Sequence, residues 1–358
     1  ISYANCGLPY YIGDVIKDRN KLFVQTAASF SKRFNIDVRI NSLVTAIDPA
    51  NQTVTVFHQP SGKTYEETYD KLVISVGAEP IRPPLPGIDS ENVFTLRNVV
   101  DTDKIKNHIA QAKIRKVLIV GAGFIGLEMA ENIHGLGIEV EIVEKGPQIL
   151  APLDFPVAAI IQQHIRKKGI TLHLNAAVTA FNKSEVVLDN RDVIETDMVI
   201  LSIGVKPDLQ LATAAGLDTG KGIIVNEYLQ TSDPNIYAVG DVIEFNHPLT
   251  GLAGVTTLAG PASKQGRILA HNLVYGNTQK YNGSINTAIL KVFDMTVGTA
   301  GIASKHLKAA EIDHIVSTTH GVSHAGYYPG SKQMTIQIAF TPNEGRLLGA
   351  QIAGYDGV

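Results

Sequence analysis

Lys116-Val-Leu-Ile-Val-Gly121-Ala-Gly123-Phe124-Ile125-Gly126-Leu-Glu128-Met-Ala, continued through Val140-Glu-Ile-Val143 to Glu144, decides the fold. Val117 to Val120 make an apolar run of strand length. Gly121, Gly123 and Gly126 follow at G-x-G-x-x-G spacing, and a helical pattern runs from Phe124 to Leu136. A second apolar strand, Val140 to Val143, stops at Glu144. In such a unit the first glycine allows the tight turn, the second admits a pyrophosphate to the backbone, and the third lets helix pack on strand. The helix N-terminus adds N–H groups for the phosphates. A glycine fingerprint alone is a weak signal, but flanking strands and an acidic end make this one specific for a dinucleotide. Glu144, roughly 20 residues on, is placed to accept from both ribose hydroxyls and to repel a 2′-phosphate, which favours NADH over NADPH. Lys145 beside it tempers that preference, so NADPH stays the alternative.

The rest of the composition bounds the class. With 358 residues the chain has room for two or three domains, and 44% apolar residues, 18% charged residues and a net charge of −3 describe an ordinary globular protein. No basic stripe points to nucleic acid, and no apolar run is long enough to predict a membrane span. A single cysteine, Cys6, permits no internal disulfide and fits a reducing, cytoplasmic setting. No metal-ligand cluster is evident. The chain opens at Ile1 without Met and stops at Gly357-Val358 just after a strand, so it reads as the middle of a longer protein.

Cys6 lies in Ser2-Tyr3-Ala4-Asn5-Cys6-Gly7-Leu8-Pro9-Tyr10-Tyr11. A helix start there would lower the thiol pKa and give a thiolate able to attack sulfur; an inert, packed cysteine is the plainer alternative. A helix is predicted over Thr26 to Phe34, strands over Asp37 to Ile40 and Ser42 to Ile47, and a β-meander through Thr53–Phe57 and Thr64–Thr68. Tyr69 to Pro80 reads as a buried strand ending in a turn at Gly77, and Ile105 to Ala112 as a short helix. Beyond Glu144, Val157 to Lys168 is an amphipathic helix, and Gly169 to Leu174 opens a second meander that continues through Glu185 to Leu188. Thr196 to Pro207 closes it. That closing block repeats the plan of Tyr69 to Pro80, Asp-x-(apolar)-Val-Ile-x-Ser-x-Gly and then proline, with Gly204 matching Gly77. Two copies imply two dinucleotide domains, with one glycine fingerprint visible.

Thr231 to Asp241 is a turn, a short strand and a Gly240-Asp241 ending. Asp241 there suits either a ribose-type hydroxyl or simple turn capping. Leu258-Ala259-Gly260-Pro261 starts a helix through Arg267 to Val274, its positive end suited to an electron-rich ring. After Ala288 four strands are predicted: Ile289–Phe293, Ile312–Val316, Met334–Phe340 and Leu347–Ile352. Between them, Tyr327-Tyr328 suits an interface or edge packing.

These motifs, in this order, resemble the two-dinucleotide flavoprotein disulfide reductases over essentially the whole chain. The resemblance implies an α/β fold with two Rossmann-like domains of the glutathione-reductase type and a C-terminal α+β dimerisation domain. It implies residues 1–113 as the first part of an FAD domain, 114–228 as the NAD(H) domain, 229–283 as the FAD return segment and 284–358 as the dimerisation domain. The FAD pyrophosphate fingerprint would lie upstream of Ile1, so these residues alone are expected not to retain FAD.

Ser2-x-x-Asn5-Cys6-Gly-Leu-Pro-Tyr and His324-Ala-x-Tyr327-Tyr328-Pro-Gly look like the coenzyme A-disulfide reductases and their relatives that reduce CoA persulfides and polysulfides. Single-cysteine NADH oxidases and peroxidases, working through a cysteine sulfenic acid, are the alternative, and an NADH-binding redox sensor or electron-transfer flavoprotein is another.

The resemblance implies that Cys6 is the redox cysteine. Ser2, Asn5, Lys32, Arg33, Ser263, Lys264 and Arg267 would contact CoA, and Tyr327 would reach the partner's CoA site in a homodimer. Val44, Gly77, Gly240, Asp241, Leu258 and Ala259 would line FAD. Phe124 would stack between flavin and nicotinamide, with Glu128 near the carboxamide and Gly121, Gly123, Ile125, Gly126, Glu144 and Gly204 around NADH. Phe34 stands where the family has a lysine, and Ser263 where some members have a histidine.

Overall fold

The computed structural model describes residues 2–358. Its α-helices are α1 (Leu8–Ile12), α2 (Ala27–Phe34), α3 (Val99–Gln111), α4 (Phe124–Gly135), α5 (Phe155–Lys167), α6 (Gln210–Ala214), α7 (Ala259–Tyr275) and α8 (Ser304–Ala309). The chain divides into two compact units. The first comprises Ile1–Gln25, Pro80–Val205 and Thr287–Val358, the second Thr26–Glu79 and Lys206–Asn286.

The first unit is built on a five-stranded parallel sheet in the order Thr171–Leu174, Glu139–Glu144, Lys116–Val120, Met198–Leu201, Val93–Thr95. The central strand sorts its side chains by parity. Val117 and Ile119 join a core with residues of α1, α3, α4 and α5, whereas Leu118 and Val120 join Phe181, Val186, Leu188 and Ile194 on the other face. Those last residues belong to the antiparallel meander Val178–Phe181, Glu185–Leu188, Val193–Glu195. Covered on both faces, Val117, Leu118 and Ile119 are fully buried, and each contributes about 1.5–3 kcal/mol. The C-terminal residues form a five-stranded antiparallel sheet, Ala288–Val292, Met295–Gly301, Leu347–Gly354, Gln333–Phe340, Ile315–Val322. Its Leu290, Val292, Met295 and Val297 enter the same core as α4 and α5.

The second unit has its own core, centred on Ile74, Leu229, Ile236, Ala238, Val242 and Tyr281. It contains the meander Ser42–Asp48, Thr53–His58, Lys63–Thr68 and a parallel pair, Leu72–Ile74 with Ile236–Ala238. The repeated glycine turns adopt the same conformation: φ is 78° at Gly77 and 108° at Gly204, where L side chains are strained. They are also bonded alike, with Asp208 N–H donating to the Gly77 carbonyl at 3.2 Å and Ile81 N–H to that of Gly204 at 3.0 Å.

Several expected elements differ. Residues 37–40 form no strand; Arg39 instead pairs through its side chain with Asp37 and Glu67. The helix expected from Ile105 begins at Val99, because Asn98 caps it and closes a capping box with Asp101. Thr171–Leu174 pairs in parallel with Glu141–Glu144, so it is an edge of the central sheet rather than the start of the meander. Of Leu72–Ile74 only Ile74 is buried, since this strand has one neighbour and Val73 faces solvent. The strand expected from Ile312 begins at Ile315, after α8, and Met295–Gly301 adds a fifth strand to that sheet. Among the described residues no helix is long and apolar enough to cross a membrane.

Candidate active site

The glycine turn is over-determined by its surroundings. Gly121 has φ of 102°, and its N–H donates to the Val143 carbonyl at 2.8 Å. Ser202 Oγ donates to the Gly121 carbonyl at 2.8 Å. A Cβ on Gly121 would stand 2.5 Å from the Ser202 carbonyl oxygen, and one on Gly126 would stand 2.1 Å from the Gly121 carbonyl oxygen. A Cβ on Gly123 would meet no protein atom within 4 Å. The turn is thus closed toward the protein and open at Gly123, the one glycine past which a pyrophosphate has to approach. α4 starts at Phe124 with no side-chain cap, which leaves its first N–H groups suited to an anion. Ile125 is exposed at this helix start, and Gly204 is exposed after its strand.

Glu144 is held by backbone donors. Ala122 N–H donates to Oε2 at 2.8 Å and Gly146 N–H to Oε1 at 2.7 Å. Each carboxylate oxygen keeps lone pairs for a further donor, and two backbone bonds fix the group's orientation before a ribose arrives. The residues present therefore fit NADH.

Farther along α4, Glu128 is half-buried one turn from Glu131. Burial, and then the Glu131 charge, push its carboxyl up to about 7. Burial raises the Tyr10 hydroxyl to about 12, with Glu128, Glu131 and Cys6 adding to the shift in that order. Tyr10 therefore stays protonated and lies within electrostatic reach of both Glu128 and Cys6. Cys6 itself is exposed, in a 3-10 turn, Asn5–Gly7, that leads directly into α1. It is not an inert core cysteine. Ser2 and Asn5 are exposed beside it, and Phe124 is partly buried against the core.

Glu128 supplies a sign-defined prediction. Its folded carboxyl binds a proton more tightly than the unfolded one, from an ordinary 4.5 to about 7. Its penalty is therefore absent below pH 4.5, grows through the window up to pH 7 and is complete above it. Glu128→Gln should leave stability unchanged in acid and raise it by on the order of 2 kcal/mol above neutrality, after discounting for partial exposure. Urea melts of both proteins across that range test it; parallel pH profiles would refute it.

The remaining expected contacts, Tyr327 aside, lie in the second unit. Lys32 and Arg33 occupy the last turn of α2, where the Arg33 guanidinium stands 5.2 Å from the centroid of the Phe34 ring. Val44 lies in Ser42–Asp48, partly buried. Gly240 has φ of 83° and donates its N–H to buried Gln265 Oε1 at 2.7 Å, which pins the Gly240-Asp241 turn. Leu258 precedes α7 in extended conformation without a side-chain cap, and a Cβ at Gly240 or Gly260 would meet nothing within 4 Å. Ala259, Ser263, Lys264 and Arg267 are exposed along the first half of α7. An uncapped helix start beside open glycine backbone fits an electron-rich ring such as that of FAD. Tyr327, in the first unit, is 92% exposed.

Three residues of these arrangements escaped sequence reasoning: Tyr10, Ser202 and Gln265. Ser202 had a signal, since the repeated block carries Ser at the same place before each glycine. The other two are tertiary placements without a local pattern. Among the described residues no group of His, Cys, Asp and Glu could hold a metal ion.

Comparison with known proteins agrees with this geometry. The family model for pyridine nucleotide-disulphide oxidoreductases matches residues 1–266. A Methanocaldococcus jannaschii protein named NADH oxidase is 34% identical over 363 residues, covering 100% of this chain and 80% of its own. A Staphylococcus epidermidis coenzyme A disulfide reductase is 34% identical over 359 residues, covering 100% and 81%. The structure of reduced Bacillus anthracis CoADR-RHD superposes with a TM-score of 0.98 at 45% identity; it covers all of this chain, which spans 65% of that one.

Proposed function

The chain belongs to the pyridine nucleotide-disulphide oxidoreductase family, and we propose that it is an NADH-dependent flavoprotein reductase of coenzyme A disulfide, CoA persulfide or polysulfide. Its cofactors are FAD and NAD(H), as the family implies and as the two glycine-lined backbone openings accommodate. The observation that carries the reading is one exposed cysteine, Cys6, in the same unit as the dinucleotide turn and within electrostatic reach of Tyr10, with no second cysteine in the sequence. The second sulfur then comes from the substrate.

When bound, NADH and FAD supply two reducing equivalents. Every other part of the chemistry belongs to the chain's own residues. The Cys6 thiolate attacks one sulfur of CoA disulfide; a Cys6–S–S–CoA bond forms, the substrate S–S bond breaks and one CoA thiolate leaves. Two electrons then split the mixed disulfide, returning the Cys6 thiolate and a second CoA thiolate. With CoA persulfide the group released is sulfide. Glu128 would stand near the carboxamide of the nicotinamide. Gly121, Gly123, Ile125, Gly126, Glu144 and Gly204 hold NADH, with Phe124 against the nicotinamide. Val44, Gly77, Gly240, Asp241, Leu258 and Ala259 line FAD. Ser2, Asn5, Lys32, Arg33, Ser263, Lys264 and Arg267 contact CoA, with Tyr327 contributed across a homodimer. The four-segment organisation at 1–113, 114–228, 229–283 and 284–358 and a cytoplasmic location complete the reading.

Anaerobic NADH oxidation by the holoenzyme, with CoA disulfide and then with CoA persulfide or polysulfide, tests it. Consumption of NADH only when oxygen or peroxide is admitted would instead support an oxidase or peroxidase. The exposure of Cys6 and the likeness to the M. jannaschii NADH oxidase favour that as the second reading.

Glu144→Ala should weaken NADH binding by about tenfold or more, the worth of one to two charge-assisted hydrogen bonds. It also frees the N–H groups of Ala122 and Gly146. NADPH affinity should fall less, because the repulsion of its 2′-phosphate goes as well. Titration with both nucleotides decides it, and an unchanged ratio of the two affinities would refute the role.

A further inference from the structure

We propose that Lys106 is a positioning residue for Cys6, acting through the far end of the short helix that the cysteine leads into. The proposal rests on reading Cys6 as the reacting thiol.

α1 has five residues, too few to hold helical geometry unaided. The Asn5–Gly7 turn is held on its N-terminal side by Ala4 N–H donating to the Leu22 carbonyl at 2.8 Å, and on its C-terminal side by whatever grips α1. On the apolar side Leu8 and Ile12, 2% and 1% exposed, enter the core with Ile105 of α3 and Ile133 of α4. At the C-terminal end, Gly13 is at closest approach to α4, since a Cβ there would lie 2.6–2.9 Å from Asn132. On the remaining side the grip is polar and comes largely from one side chain. Lys106 Nζ donates to the Tyr11 carbonyl at 2.8 Å, pairs with Asp14 Oδ1 at 2.6 Å and stands 4.6 Å from the Tyr11 ring centroid.

Those contacts do more than a surface ion pair does. The ammonium sits at the C-terminus of α1, where a cation complements the helix dipole. Its partner Asp14 has φ of 61°, left-handed for a non-glycine residue. Such a conformation persists where surrounding structure enforces it. Three residues earlier on α3, Asp103 takes Arg19 in a bidentate pair, at 2.7–3.1 Å. The segment after α1 is thus tied to α3 at two successive points. With Lys106 replaced by methionine, the end of α1 loses the carbonyl bond, the ion pair and the ring contact together, which loosens the polar side of its grip on α3. A shift of about 1 Å at a reacting atom costs on the order of 10²-fold in rate.

The experiment uses the holoenzyme and Lys106→Met, with Lys106→Arg as the conservative control. Expected for Lys106→Met are a fall in kcat/KM for CoA disulfide of between about tenfold and 10²-fold, slower iodoacetamide alkylation of reduced Cys6, and unchanged NADH affinity. Lys106→Arg should recover most of both losses, and Asp14→Asn should reproduce a smaller loss. Unchanged turnover and alkylation in Lys106→Met would overturn the proposal. So would a loss of NADH affinity that parallels the loss of rate and is not rescued by arginine. If Lys106→Met does not fold, Asp14→Asn and Lys106→Arg decide by the same two readouts. If the wild type fails to turn over CoA disulfide, the reading of the substrate falls, whereas alkylation of Cys6 still tests the positioning.

Discussion

Cys6→Ser is expected to abolish NADH-dependent reduction of CoA disulfide, CoA persulfide and polysulfide, a loss on the order of 10³-fold or more, because a serine oxygen is a far weaker nucleophile toward sulfur and forms no disulfide with the substrate. Cys6 is exposed in its turn, so serine removes no packed sulfur and stability should hold. The dinucleotide turn is built from Gly121, Ser202 and Glu144, so NADH affinity should be preserved. The informative result is the combination: normal NADH titration, normal melting, and no turnover of sulfur acceptors under anaerobic conditions. A mutant that keeps disulfide turnover would remove the proposed mechanism, because the chain offers no other cysteine. A mutant that loses only oxygen- or peroxide-dependent NADH consumption, from a wild type inactive with sulfur acceptors, would transfer the cysteine to the oxidase reading.

What could be read from sequence follows the range of the interactions. The dinucleotide unit was legible because spacing, strand and acidic end lie within one continuous stretch, and Lys116–Val120, Phe124–Gly135 and Glu139–Glu144 appear there as expected. The face each residue takes was not legible. Val117 to Val120 are all apolar, and only the helices on one side and the meander on the other sort odd from even. Thr171–Leu174 failed for a related reason: alternation is the same in a meander and in a half-covered edge strand, and His173 bonded to Glu141 at 2.6 Å shows which one it is. Asp37 to Ile40 carries strand-like residues but finds no ladder, since β-propensity depends on a neighbour to pair with. At the site, Cys6 and Glu144 carried local signatures. Tyr10 beside Glu128 and Lys106 against Asp14 join residues about a hundred positions apart and left no pattern to find.

Gly126→Ala should be strongly damaging to the dinucleotide turn, although local propensity argues the opposite. Gly126 lies inside α4, where alanine gains about 1 kcal/mol in helix propensity. The added Cβ, however, would stand 2.1 Å from the Gly121 carbonyl oxygen and 2.7 Å from Ser202 Oγ. The second could rotate aside at the loss of its bonds to the Val120 and Gly121 carbonyls. The first is backbone, in a residue already fixed at φ of 102° and bonded to Val143. Relief therefore requires α4 to move away from the sheet, opening a core in which Leu127, Met129, Ala130 and Ile133 are all at most 1% exposed. Overpacking of that kind costs about 1–3 kcal/mol, and backbone displacement in a tight turn adds to it, so a net loss of roughly 3 kcal/mol is expected after the propensity gain. NADH binding should fail with it, because the N–H groups of α4 and the carboxylate of Glu144 converge on the phosphates and ribose only while helix and strand keep this spacing. Alanine at Gly123 separates the two effects. Its Cβ meets no protein atom, so stability should be nearly unchanged, whereas the methyl occupies the approach of the pyrophosphate and NADH affinity should drop. Melting and nucleotide titration of the two variants side by side test the assignment. Equal stability losses would show that the close approach at Gly126 is not what holds α4 to the sheet.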